Sequence, residues 1–86
     1  SYTAPVVDAV LDGTPAREAG FEPNDRIVQV GGYRIQSFEE VRNHIAMNPD
    51  RALSFTVLRG DRELVLEATP RAVMRHGMKA GELGIR

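Results

Sequence analysis

His44 and His76 are the only histidines in the chain, and there is no cysteine, so zinc could be ligated here only by these two residues and carboxylates. Neither lies in an H-E-x-x-H run, in which two histidines one helical turn apart hold the metal and the glutamate activates water. His44 falls on the polar side of a helical pattern and His76 in a basic stretch, so both read as surface residues. Ser1, Ser37 and Ser54 lack the G-x-S-x-G setting that exposes a nucleophilic hydroxyl. Glu39 and Glu40 are adjacent, so on a helix their carboxylates diverge and cannot flank a scissile bond as acid and base. Gly31-Gly32 is not followed by Gly-Lys-Ser/Thr and forms no phosphate loop. Asp25, in Pro23-Asn24-Asp25, reads as a structural residue that bonds turn amides. Arg71, Arg75, His76 and Lys79 make a basic stretch that reads as a solvated loop, with attraction of an acidic peptide end or a lipid phosphate as the alternative. The sequence therefore predicts no catalytic residue, no metal ligand and no cofactor site within these residues.

Composition narrows the classes further. The 86 residues suffice for one domain, 1–86, with one modest core. A net charge of −1 gives no basic face for nucleic acid. The lack of cysteine removes disulfides and thiol chemistry without choosing a redox compartment. No apolar run is long enough to span a bilayer, and the N-terminus lacks the basic-then-apolar pattern of a signal peptide. The chain starts at Ser1 and stops abruptly at Arg86, which reads as a piece of a longer protein whose targeting and membrane segments lie elsewhere.

The elements that would position any site are legible from local chemistry. Pro5–Val10 reads as a first strand, with Val6, Val7 and Val10 apolar. Gly13 suits a turn, Thr14 an N-cap, Pro15 the first helical position and Gly20 the helix stop, which predicts a short helix over 15–19. Pro23-Asn24-Asp25 turns into a strand over 26–30, and Gly31-Gly32 suits a primed hairpin turn before a very short strand over 33–35. Ser37 with Glu40 forms a capping box ahead of Phe38, Val41 and Ile45 at helical spacing, so a longer helix is expected over 38–47, stopped by Pro49. Leu53–Leu58 and Glu63–Ala68 read as strands joined by a Gly60-Asp61 turn. Arg71–Gly81 has no clear period and reads as a loop, and Gly81–Arg86 as the start of one more strand. Two short helices with five or six strands give an α+β fold, a small, partly open antiparallel β-barrel capped by the helices.

The string from Gly13 to Gly32, G-T-P-A-R-E-A-G-F-E-P-N-D-R-I-V-Q-V-G-G, resembles the core of bacterial PDZ domains, G-S-P-A-x-x-A-G-L-x-x-G-D-x-I-x-x-V-N-G. Thr14 stands for the usual Ser, Phe21 for Leu, Asn24 for Gly and Gly31 for Asn; Asn is the residue best able to replace Gly in a left-handed conformation. The resemblance implies a peptide-binding domain with no covalent chemistry of its own. Its chain order is circularly permuted, with Glu63–Ala68 in the role of the usual first strand and Leu83-Gly84-Ile85 similar to the carboxylate-binding loop. In such domains loop amides hold a ligand C-terminus and a strand pairs with the ligand beside the longer helix. The resemblance thus implies a peptide-binding set of Phe38, Arg42, Ile45, Leu83, Gly84 and Ile85. Phe38 stands where one class carries a histidine, which implies an apolar preference there. Arg42 would meet ligand backbone or an acidic side chain, and Ile45 the pocket floor. An ordinary last strand at 83–85, and a plain core role for Phe38, Val41 and Ile45, are the alternatives. Because Arg86 alone follows Ile85, part of the ligand-pairing strand is expected to be missing and binding correspondingly weak.

The likeness extends to Ser37-Phe38-Glu39-Glu40-Val41, Asn48-Pro49-Asp50, Leu53–Asp61 and the closing Ala68-Thr69-Pro70-Arg71, which are similar to the PDZ domain of bacterial site-2 proteases, the family of the regulator of sigma-E protease. Asp50 departs from the usual Gly. This implies a parent that is a membrane-embedded zinc metalloprotease, with zinc held outside these residues. The domain would lie on the periplasmic face of the inner membrane and bind a C-terminus or extended segment of a membrane-protein substrate. A PDZ domain of a periplasmic HtrA-type serine protease is the alternative, although there the G-x-L-G-I-like string precedes the core. A non-enzymatic scaffold or secretion PDZ domain is the third.

Overall fold

The computed structural model describes all residues from Ser1 to Arg86. Two helices and six strands follow in the order α1 (Pro15–Ala19), β1 (Arg26–Val30), β2 (Tyr33–Arg34), α2 (Phe38–Ala46), β3 (Leu53–Arg59), β4 (Arg62–Ala68), β5 (Arg71–Arg75) and β6 (Met78–Glu82). They form a four-stranded sheet ordered β2-β1-β3-β4 and a separate β5-β6 hairpin, with all pairings antiparallel. The two sheets do not close into a barrel.

Local chemistry sets the helices as expected. Thr14 Oγ1 accepts the Arg17 N–H, Pro15 opens α1, and Gly20 closes it in the left-handed region at φ 96°. Asn24 takes φ 78° and Asp50 φ 62°, so both fill left-handed positions where the resembled motif carries glycine. At α2, Ser37 Oγ accepts the Glu40 N–H at 3.2 Å, but the Glu40 carboxylate reaches the Gln36 N–H at 2.8 Å, not that of Ser37. The capping is reciprocal, with its return bond one residue earlier than the usual box.

Three sequence expectations are corrected. Pro5–Val10 is not a strand: only Val6 and Val10 form isolated bridges, to Arg26 and Ile85. This segment pairs first with the start of β1 and then with the chain end, so no continuous ladder develops. Arg71–Gly81 is not a loop but most of the β5-β6 hairpin, turned by His76 (φ 52°) and Gly77 (φ 77°), the two positive φ values of a type I′ turn. The strand expected over 81–86 reduces to the end of β6 and the single bridge at Ile85.

The core sits inside the four-stranded sheet and under both helices. Phe55 and Val57 of β3, Ile27 and Val30 of β1, Val41 and Ile45 of α2, Ala16 of α1 and Leu83 belong to one buried cluster. Phe21 meets Phe55 edge to face, with centroids 5.3 Å apart and planes at 79°, the favoured arrangement for aromatic quadrupoles.

Asp25 lies fully buried beneath this layer. Its carboxylate accepts the Glu22 N–H at 2.9 Å, Arg59 Nε at 2.8 Å and Arg59 Nη2 at 2.9 Å. Arg59 also donates to the Gly20 carbonyl at 2.7 Å and pairs with Glu22 at 3.1 Å. The turn-bonding role expected for Asp25 is present, and to it the fold adds a two-pronged ion pair from β3. Burial pushes the Asp25 carboxyl up, but the Arg59 and Glu22 hydrogen bonds and the Arg59 charge together hold it below its ordinary value. The Asp25 hydrogen bond in turn raises Arg59.

Candidate functional site

Residues 83–86 run alongside 8–11. Leu11 N–H donates to the Gly84 carbonyl at 2.9 Å, and Arg86 N–H to the Ala9 carbonyl at 2.9 Å; Asp8 and Ala9 N–H both donate to the Arg86 carbonyl. Ile85 opposes Val10 between these bonds. In such antiparallel pairing the amide and carbonyl of the intervening residue face the opposite edge. The Ile85 N–H and C=O therefore face away from 8–11. No protein acceptor meets the N–H groups of Leu83, Gly84 or Ile85. These are three consecutive backbone donors without a protein partner, the kind of group that anion-binding loops use.

A cleft of about 470 Å³ lies between this segment and α2. That size is within the range of small-ligand and peptide-end pockets. Arg42, Ile45, Leu83, Gly84 and Ile85 all line it. The fold thus brings five of the six candidate residues to one place from sequence positions about forty apart. Leu83 is buried, with its carbonyl accepting the Ala16 N–H at 2.9 Å, and Ile85 is half-buried against the core. Gly84 has φ 96°, and a Cβ there would overlap the Thr14 side chain, so only glycine fits where the loop crosses the start of α1.

Phe38, the sixth, does not line the cleft. It is 4% exposed, and its N–H donates to the Thr3 carbonyl at 2.9 Å. Its place in the implied peptide-binding set gives way to the alternative, a buried core ring. Its bearing on the cleft is indirect: the Arg42 guanidinium lies 4.9 Å from the ring centroid, a cation–π contact that orients this exposed side chain.

Glu82, which the sequence did not nominate, and Arg75, which it named only within the basic stretch, also line the cleft and pair with each other. They lie on opposing strands of the hairpin, on the same face (Arg71↔Glu82 and Arg75↔Met78 in register). The signal that could have found them is His76-Gly77, a dipeptide suited to a two-residue turn. The hairpin is clamped to α2 at its base, since a Cβ at Gly81 would overlap the Ile45 carbonyl. His44 is half-buried and packs on Tyr33, with ring centroids 5.1 Å apart. No group of three or more His, Cys, Asp or Glu residues is placed to hold a metal ion. No helix is long and apolar enough to cross a membrane.

Comparison with known proteins adds family context. A family model described as PDZ domain matches residues 6–59. The chain is 38% identical to part of Metalloprotease MmpA of Caulobacter vibrioides, covering 98% of this chain and 22% of that protein. It is 37% identical to part of a putative zinc metalloprotease of Brucella suis, over 94% of this chain and 23% of that protein. It is 28% identical to zinc metalloprotease RasP of Geobacillus kaustophilus, over 94% and 19%. The chain thus spans about a fifth of the length of these relatives. Among solved structures, the PDZ domain of an SdrC-like protein from Listeria monocytogenes superposes with a TM-score of 0.75 at 19% identity, covering 99% of this chain and 90% of that one. A solution structure from Geobacillus thermodenitrificans gives 0.70 at 22% identity, covering 91% and 90%.

Proposed function

This chain belongs to the PDZ domain family, and from that premise we propose that it binds the C-terminal end of an extended peptide in the cleft between α2 and residues 83–86. The observation that carries the reading is the row of three unpartnered N–H groups at Leu83, Gly84 and Ile85 beside an apolar pocket. A carboxylate set on these donors gains charge-assisted hydrogen bonds from backbone that is already in place. The last ligand side chain enters between Ile45, Leu83 and Ile85. The ligand backbone adds as a strand to the free Ile85 edge. Arg42, held over Phe38, meets ligand backbone or an acidic side chain from the helix wall.

In this proposal the chain is one domain of a larger membrane-embedded zinc metalloprotease of the site-2 type. The names of its relatives support that parent. The parent's zinc is held by residues outside this chain, and the domain recognises or gates membrane-protein substrates for intramembrane proteolysis from the periplasmic face. The open reading frame then carries an H-E-x-x-H motif in an apolar segment. A His…Asp…Ser protease domain in its place would overturn the assignment of the parent.

The cleft reading is tested by NMR titration of the ¹⁵N-labelled chain with a short apolar-ended peptide, as free acid and as C-terminal amide. The free acid is expected to shift the Leu83, Gly84, Ile85 and Arg42 amides, and the amide form to bind much more weakly. Equal shifts from both forms, or shifts confined away from these residues, would sink the reading.

A further inference from the structure

Beyond the cleft, the β5-β6 hairpin carries an unusual tip. Residues 74–79 are all exposed, and they include Met74 at 68% and Met78 at 72%. Single exposed apolar residues need no explanation. Here two flexible ones share a six-residue tip with Arg75, His76 and Lys79, and the residues between Arg71 and Glu82 include no acid. Glu82, at the base, is paired with Arg75. The chain as a whole has a net charge of −1, so this concentration of positive charge is local.

We propose that the tip of the β5-β6 hairpin is a docking element for an anionic lipid surface, with Met74 and Met78 entering the headgroup layer, Lys79 meeting lipid phosphates and Arg75 exchanging its Glu82 partner for one. The register supplies the argument for lipid over a protein partner. Arg75 opposes Met78 on one face of the ribbon, and Met74 opposes Lys79 on the other. Each face therefore carries one methionine and one cation. A flat protein surface would leave one methionine–cation pair uncovered; a fluid headgroup layer that admits the tip meets both. The long aliphatic stems of Arg and Lys let their charged heads stay at phosphate level while the thioethers lie deeper.

The hairpin is closed by a tight turn and anchored at its base. The type I′ turn at His76-Gly77 fixes its end, and the Gly81 contact with the Ile45 carbonyl fixes its base on α2. The four steps from Gly81 to Gly77 span roughly 13 Å at strand rise. Docking would therefore hold the cleft, lined by the adjacent Glu82 and Leu83, within that order of distance from the lipid surface.

The test is co-sedimentation of the 86-residue chain with phosphatidylcholine vesicles and with phosphatidylcholine–phosphatidylglycerol vesicles. Binding to the anionic vesicles alone is expected. Met74→Ser/Met78→Ser is expected to weaken it roughly tenfold, since two partly buried apolar side chains are lost. Lys79→Glu should weaken it further at low salt. These residues are exposed, so a circular-dichroism melt should leave the variants as folded as the parent. Met78→Trp gives a second readout: its emission should shift to the blue on anionic vesicles. No sedimentation with anionic vesicles, or binding unchanged in the double Met variant, would overturn the proposal. So would a vesicle-independent dimer that the double Met variant abolishes, since the tip would then serve a second copy of this chain.

Discussion

Replacing Asp25 with Asn tests the physical account of the fold most directly. The substitution keeps the side-chain shape but removes the charge and turns one acceptor into a donor facing the Arg59 guanidinium. The wild-type carboxylate is fully buried and accepts three hydrogen bonds, at 2.8, 2.9 and 2.9 Å. Removing one partner of a buried ion pair typically costs ~3–5 kcal/mol, because the other charge is left desolvated without compensation. The Arg59 side chain is 22% exposed and keeps the Gly20 carbonyl and Glu22, which places the loss near the low end, ~3 kcal/mol. A domain of this size holds ~4–13 kcal/mol in total, so the variant folds but with a large share of its margin gone. At ~4–8 °C per kcal/mol the melting temperature should fall by ~12–24 °C. Urea unfolding followed by circular dichroism measures the difference. The pH dependence supplies a second readout. The folded carboxyl is held below its ordinary value of 3.8, so its stabilisation is complete above that value and drains away as pH falls through the lowered folded one. Wild type should therefore lose stability more steeply than Asp25→Asn across that acid window. A loss below ~1 kcal/mol, the scale of one ordinary hydrogen bond, would refute the reasoning, as would identical acid limbs in the two proteins.

Three further outcomes follow from the geometry. Gly84→Ala must relieve an overlap with Thr14 at φ 96°, so peptide affinity in the titration should drop by about tenfold or more while the strain costs ~1–3 kcal/mol; unchanged affinity would show that the amide row is not the anchor. Ser37→Ala removes the hydroxyl that accepts the Glu40 N–H and should cost ~1 kcal/mol in urea unfolding, with Glu40 retaining its bond to Gln36. Arg42→Ala, at an exposed position, should change stability by no more than ~0.5 kcal/mol yet weaken peptide binding, a split that a purely structural side chain would not give.

The same particulars show what was legible in the chain alone. Caps, turns and apolar spacing are local, and they placed α1, α2, β1, β3 and β4 within a residue or two. Thr14, Gly20, Ser37 and Gly60-Asp61 act on backbone no more than a few residues away. The likeness of Gly13–Gly32 to PDZ domains carried the family, because it lists positions where only small, turn-forming or capping residues fit.

Contacts between distant segments set the rest. Nothing near Asp25 announces Arg59, which lies 34 residues on and reaches it only because β3 packs beside β1. Pro5–Val10 has strand-like residues but becomes a pair of isolated bridges, since β1 and the chain end offer it only short stretches of free edge. The 71–82 hairpin shows no clean alternation because its burial is split between both faces, Val73 and Ala80 half-buried on one and Ala72 and Gly81 covered on the other, so no periodic face marks it. Phe38 has the helical spacing of a groove residue, yet its ring is buried and its N–H is tied to the Thr3 carbonyl, neither of which spacing alone can show. The cleft itself exists only where α2 meets residues 83–86. Sequence can nominate the side chains on each wall; the gap between the walls, and the three amides left without acceptors along it, come from how the sheet edges pair once the core has closed.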